Sequence, residues 1–293
     1  MTTGDTLSGR AVVVTGAGGG LGRAHALQCA SLGAHVVVND VDAEAAEATV
    51  AAVRAGGGEG VAVVSPVDTE AGAGAIVEAA VGAYGRVDAV VNNAGFLRDR
   101  SLAKLTPEMW DAVVAVHLRG GYLVTRAAWP HLRASGSGRV VMVTSHAGLV
   151  GNHGQANYAA AKMGLVGLAN VLAIEGAAHG VGVNVVAPLA RTRQSEGVWP
   201  EGALRRLDPA YVSALVAHLC SAACTTSGMV FGVAGGTYVR HLLCDAGRVS
   251  FDHVPGVEEI AAAWTRLTDA GPRGATTVDS VMAMILGTTA GEG

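Results

Sequence analysis

Along the first 190 residues, short apolar runs alternate with amphipathic stretches. Residues 10–15, 34–39, 61–65, 87–92, 139–145 and 181–187 are rich in valine and apolar on both faces. That is the pattern of strands buried in a parallel sheet. Between them, 20–32, 43–55, 70–84, 107–134 and 156–179 carry helical periodicity. Strand–helix alternation of this kind predicts a doubly wound sheet with right-handed crossovers. After Pro188 the pattern loosens. Residues 189–207, with Gly197, Pro200 and Gly202, read as a loop, followed by a helix over 208–222 and a seventh strand over 228–233. The stretch 255–287 reads as one or two further helices, interrupted at Gly271–Pro272. The expected architecture is α/β: a Rossmann-type doubly wound parallel sheet of about seven strands, with helices on both faces and a helical C-terminal extension. One domain is expected over 1–293. It comprises a dinucleotide-binding and catalytic core (1–190), a substrate loop and helix (189–222) and the extension (250–293), which packs on the same domain or on a partner subunit.

Composition narrows the class. Half of the 293 residues are hydrophobic and 15% are charged, which suits a large buried core. The apolar runs of four to eight residues fall short of the roughly 20 needed to cross a bilayer. Residues 1–8 are polar and do not resemble a secretory leader, so a cytoplasmic setting is expected. A net charge of −4 without basic clusters gives no electrostatic reason to expect nucleic acid or a membrane surface as partner. Cys220 and Cys224 lie one helical turn apart, but with Cys29 and Cys244 they do not complete a metal ligand set, and buried reduced thiols are expected. Of twenty basic residues, Lys104 and Lys162 alone are lysines. A lysine that survives in a chain favouring arginine marks a position that arginine does not fill.

The first strand runs into Thr15-Gly16-Ala17-Gly18-Gly19-Gly20-Leu21-Gly22. Glycines let backbone approach a pyrophosphate, and the following helix offers free N–H groups and a positive dipole end. Gly16, Gly19, Gly20, Leu21 and Gly22 are therefore candidate dinucleotide contacts. Asp40 closes the second strand about 20 residues later, where a carboxylate accepts both ribose hydroxyls of NAD and repels the 2′-phosphate of NADP. The plain structural alternative is a helix cap, open to Asp40 and Asp42 alike. Val67 and Asp68, past the third strand, are placed for the adenine, and Asp68 too has a cap as its alternative. Asn93, Ala94 and Gly95 close the fourth strand beside Asn92, with small residues against which a second ribose can lie. Pro188 ends the sixth strand at the same edge.

Ser145, Tyr158 and Lys162 form the chemical constellation. Ser145 ends the fifth strand, where such sheets place their ligand crevice. Tyr158 and Lys162 are four residues apart on one helical face. A phenol of pKa ~10 is a poor base near neutrality, and a neighbouring ammonium favours the phenolate. The serine hydroxyl then holds a substrate oxygen while the tyrosine takes or gives its proton.

TGAGGGLG, NNAG, Ser145 thirteen residues before Tyr158, and YAAAK together resemble the short-chain dehydrogenase/reductase family. The resemblance implies that Tyr158 is the acid/base, that Lys162 binds the nicotinamide ribose and lowers the tyrosine pKa, and that Ser145 orients the substrate. Within that family, VVVND, NNAGFLRDRS, VHLRGGYLVTRAAW, GNHGQANYAAAKMGLVGLANVLAIEG and FGVAGGTYVRHL look like the dehydrogenase unit of peroxisomal multifunctional enzyme type 2 and its bacterial relatives. This implies NAD-dependent oxidation of a (3R)-hydroxyacyl-CoA, in fatty-acid or steroid side-chain breakdown. The substrate partner would be an acyl-CoA thioester. His117 stands where the wider family carries an asparagine that kinks its helix, and Leu189 replaces a glycine after Pro188, with Arg191 close to the expected mouth. The apolar residues Met163, Leu165, Val166, Leu168, Val171, Leu172 and Ile174 cover more of helix 156–179 than one core face needs, and in relatives this helix pairs across a two-fold axis, so a homodimer is expected. The rival readings are a hydroxysteroid or other secondary-alcohol dehydrogenase, a carrier-protein reductase (disfavoured by Asp40, since it would use NADPH) and an NAD-sensing binding protein.

Overall fold

The computed structural model describes residues 6–190, 207–243 and 249–268. Eight strands form one sheet: β1 (Ala11–Thr15), β2 (His35–Asp40), β3 (Glu59–Val64), β4 (Ala89–Asn92), β5 (Arg139–Val143), β6 (Gly182–Pro188), β7 (Val230–Ala234) and β8 (Thr237–His241). Their order is β3-β2-β1-β4-β5-β6-β7-β8. All pairings are parallel except β7 with β8. The order reverses between β1 and β4, so a crevice opens at their carboxyl ends, the place where open α/β sheets bind ligands. The valines of β1, β4 and β5 are fully or almost fully buried because helices cover both faces.

On one face lie α1 (Gly20–Ser31), α2 (Ala43–Ala55) and α8 (Pro209–Cys220); on the other lie α3 (Glu70–Tyr84), α5 (Gly120–Ala134) and α7 (Ala156–Ala177). Alternate residues of β1 divide between the two cores, Val12 and Val14 with α1 and Val13 with α3, as period-two side-chain direction requires. Cys29, Cys220 and Cys224 are buried free thiols.

Three expectations need correction. The helix expected over 107–134 is α4 (Pro107–Val114), a π turn (Ala115–Arg119) and then α5; the π turn carries His117. The sheet gains an eighth, antiparallel strand, because Gly235 and Gly236 both adopt positive φ (57° and 81°) and fold the chain into a two-residue hairpin. And α7 is by length and composition apolar enough to cross a bilayer, although no apolar run announced it; its Leu165, Val166 and Ala169 are buried against the sheet. Of the expected tail, α9 (Val257–Thr268) is described. Residues 191–206 of the expected substrate loop, with Arg191, and Cys244 lie outside the described residues, as does the expected tail beyond Thr268 with its break at Gly271–Pro272.

Candidate active site

Most of the candidate residues meet around one cavity of about 600 Å³ at the sheet's switch point. Gly16, Gly19, Gly20, Leu21, Asp40, Val67, Asp68, Asn93, Ala94, Gly95, Ser145, Tyr158, Lys162 and Pro188 all line it. Gly22 does not. It sits beneath the loop, where an added Cβ would lie 2.1 Å from the Gly16 carbonyl oxygen, so its size serves close helix–strand packing.

The dinucleotide end is built by backbone. Gly16 has φ +62° and a Cβ there would come within 2.7 Å of Ala94 Cα, so glycine is required twice over. Thr15 Oγ1 accepts from the backbone N–H groups of Asn93 and Ala94 (3.0 and 3.1 Å), and Asn93 Nδ2 donates to the carbonyls of Thr15 and Gly16 (3.0 and 3.1 Å). The two loops at this end of the cavity are thus tied together. Gly19 caps α1 without any side-chain bond, and the space around Gly19 and Gly20 is open. Uncapped N–H groups at the mouth of a 12-residue helix suit a pyrophosphate.

The capping alternatives resolve. Asp42, not Asp40, caps α2 by accepting from Ala45 N–H, and Thr69, not Asp68, caps α3 by accepting from Gly72 N–H. Asp40 Oδ2 instead accepts from Gly18 N–H at 2.9 Å, and its Oδ1 from Val41 and Asp42 N–H groups (2.8 and 3.1 Å). The carboxylate is thereby held against the glycine loop and faces the cavity. Among the described residues no arginine lines that cavity. These features fit a dinucleotide: the open helix end for its phosphates and a carboxylate for ribose hydroxyls.

At the reacting end, Ser145 caps the short α6 (His146–Val150), accepting from Ala147 N–H at 3.2 Å, and shares a hydrogen bond with the Tyr158 hydroxyl. Lys162 is 3% exposed. Its Nζ donates to the Val143 carbonyl at 2.7 Å and lies 5.6 Å from the centre of the Tyr158 ring. Thr144 Oγ1 bonds the Lys162 carbonyl at 2.6 Å, fastening α7 to the end of β5. Burial lowers the Lys162 ammonium to about 7. The tyrosine departs from expectation: burial pushes the phenol above its ordinary value, the Ser145 bond opposes this, and the negative Asp99 adds to it. In the polypeptide by itself, desolvation of the phenolate outweighs any help from the lysine.

His117 sits in the π turn and lines the cavity. Its Nε2 lies 2.8 Å from Phe96 O and 3.0 Å from Phe96 N, so either tautomer of the neutral ring finds a partner there. The ring meets Tyr158 edge-on at 5.2 Å. Burial, then the Lys162 charge, hold the imidazole down at about 3, hence neutral. A Cβ on Gly95 would fall 1.9 Å from this ring, which ties the glycine of NNAG to the histidine. Asn92 Nδ2 reaches Thr125 Oγ1 (2.8 Å) and Met142 Sδ (3.3 Å), joining β4 to β5 and α5. Sequence reasoning missed Asn39, Ser65, Phe96, Leu97 and Thr144 as lining residues. The polar ones adjoin strand ends beside residues already singled out.

A family model described as short chain dehydrogenase matches residues 10–196. The chain is 48% identical over 237 residues to the peroxisomal multifunctional enzyme type 2 of Mus musculus, covering 78% of this chain and 32% of that enzyme. It is 46% identical over 249 residues to hydroxyacyl-CoA dehydrogenase ChsB1 of Mycobacterium tuberculosis, covering 78% of each. Among solved structures it resembles a short chain dehydrogenase from Mycobacterium avium, with TM-score 0.85 and 38% identity over 93% of this chain and 99% of that one.

Proposed function

We propose a function from one premise: the chain belongs to the short chain dehydrogenase family. It is an oxidoreductase of CH–OH groups, a chemistry that calls for a nicotinamide cofactor. Our reading is that it uses NAD to interconvert a (3R)-hydroxyacyl-CoA and its 3-ketoacyl-CoA. One observation carries this reading: Ser145, Tyr158 and Lys162 stand at one end of the cavity whose other end is the uncapped α1 terminus and Asp40. The relative named hydroxyacyl-CoA dehydrogenase ChsB1 supports the substrate class. A bound nicotinamide would supply the hydride acceptor. Ser145 would hold the substrate oxygen, and Tyr158 would take the alcohol proton. Lys162, fixed by Val143 and Thr144, places beside the phenol an amine that burial lowers to about 7 and that a forming phenolate draws back to its ammonium form. His117 fixes the Gly95–Phe96 wall against the tyrosine ring. A pure NAD sensor has no use for that constellation.

The test is a panel of (3R)- and (3S)-hydroxyacyl-CoAs and free hydroxysteroids with NAD and with NADP. The (3R)-thioesters with NAD are expected to give the highest kcat/KM. Asp40→Ala is expected to shrink the preference for NAD by ~10-fold or more, because the repulsion between like charges is removed. Equal efficiency with NAD and NADP in the unaltered protein sinks the cofactor assignment, and a preference for free steroids sinks the substrate assignment.

Assembly belongs to the same proposal. Met163, Val171 and Ile174 on α7 are 39%, 51% and 78% exposed, an apolar face the described fold leaves uncovered. A two-fold pairing of α7 with its copy would cover it, and an isologous dimer is the commonest arrangement. Light scattering at micromolar concentration is expected to give a dimer or a multiple of it; monomer alone contradicts this.

A further inference from the structure

The segment leaving β4 carries a feature that the catalytic chemistry does not use. Residues 96–104 run outward from the cavity, and side chains and backbone fasten them along the way. His117 holds Phe96; Asn157 Nδ2 donates to Arg98 O at 3.2 Å; Gln155 Nε2 donates to Asp99 Oδ2 at 2.8 Å; Arg100 N–H donates to Gly154 O at 2.8 Å. The result is a rigid ledge anchored on the start of α7, one turn from Tyr158. Three exposed cations stand on it: Arg98, Arg100 and Lys104. The Arg98 guanidinium lies 5.2 Å from the centre of the Phe96 ring, and Phe96 and Leu97 line the cavity. Arg100 Nη1 bonds the carbonyl of Asp99 at 2.8 Å. Among the described residues none of the three cations makes an ion pair. The one carboxylate within the ledge, Asp99, accepts from Gln155 through Oδ2 and keeps its charge, so residues 98–104 carry three cations against one anion. In sequence the cations are spread through RDRSLAK and interrupted by Asp99, so they do not read as a basic run.

Resting on the hydroxyacyl-CoA reading, we propose that this ledge binds the phosphate-bearing nucleotide half of the coenzyme A thioester. A pantetheine arm separates those phosphates from the reacting carbon, so their cations belong outside the catalytic cavity yet on a path that begins in it. Arg98 meets that condition through Phe96. Guanidinium groups pair with phosphate through two parallel N–H bonds, and stacking on Phe96 pre-positions one of them. Leu102, 76% exposed between the cations, offers an apolar contact to the arm. An acidic carrier protein fits less well. The cations span seven residues of a chain whose net charge is −4, and that field would repel a large acidic partner.

The experiment compares kcat/KM for one (3R)-hydroxyacyl group carried on coenzyme A and on N-acetylcysteamine, which has no phosphates. Single exposed charge pairs contribute little, so the three cations together are expected to favour the coenzyme A ester by about tenfold, mostly through KM. Raising salt should erode that preference in the unaltered protein. Arg98→Gln/Arg100→Gln/Lys104→Gln should abolish it, while Arg98→Lys/Arg100→Lys should keep most of it. Equal efficiency on both esters in the unaltered protein, or a triple variant with the preference intact, overturns the ledge while leaving the catalytic reading standing. A triple variant that loses turnover only of carrier-protein thioesters also overturns it. Turnover of neither ester removes the hydroxyacyl-CoA reading and the ledge with it.

Discussion

Lys162→Met is expected to lower alcohol oxidation by ~10²-fold or more, the scale of losing one preorganised electrostatic contact, and to move its pH profile to higher pH. Oxidation needs the Tyr158 proton to be gone, so the rate rises with pH through the apparent pKa of the phenol. Burial and Asp99 already hold that pKa high; a phenolate forming 5.6 Å from the Lys162 amine favours its ammonium in turn, and methionine removes that mutual support and raises the apparent pKa. NAD affinity should fall as well, because Lys162 borders the cavity. A variant with an unchanged pH profile would assign the lysine a packing role.

The same substitution has a stability signature of known sign. Burial puts the folded pKa of Lys162 at about 7, whereas an unfolded lysine titrates near ~10.4. Between those values the unfolded chain holds a proton that the folded one has released, so the wild-type protein gains stability from this group as pH rises. Methionine avoids the desolvation altogether. Lys162→Met should therefore be at least as stable as wild type at neutral pH, with the gap closing as the pH approaches the unfolded value. Denaturation curves along that range check it. Less activity with no loss of stability is what separates a functional buried charge from a structural one.

Legibility in the sequence followed the physics. Buried parallel strands announce themselves, because both faces must be apolar, and six expected strands met their counterparts within a few residues. The glycine loop was legible for the same kind of reason: Gly16 is forced by its positive φ and by Ala94. The π turn was not legible. Nothing in the periodicity of 107–134 distinguishes one wide turn from a regular helix, although such turns gather at functional sites. Strand β8 was legible and missed: Gly235-Gly236 between alternating runs is a hairpin signal, but the run was read only as a motif. The side-chain charge states were beyond reach, because whether Lys162 lowers the Tyr158 pKa depends on desolvation that spacing does not encode. The short cap assignments at Asp42 and Thr69 likewise turned on one or two residues of register.

The most direct test of the account pairs two readings on Tyr158→Phe: turnover of a (3R)-hydroxyacyl-CoA with NAD, and NAD binding by titration. The substitution removes the hydroxyl that bonds Ser145 and leaves the Thr15–Asn93 clamp, the open end of α1 and Asp40 in place. Turnover is expected to fall by at least the ~10²–10⁴-fold typical of a lost general acid/base, with NAD affinity within a few-fold of wild type. Near-normal turnover in this variant would contradict the assignment of Tyr158 as the proton acceptor, and with it the mechanism proposed for the site.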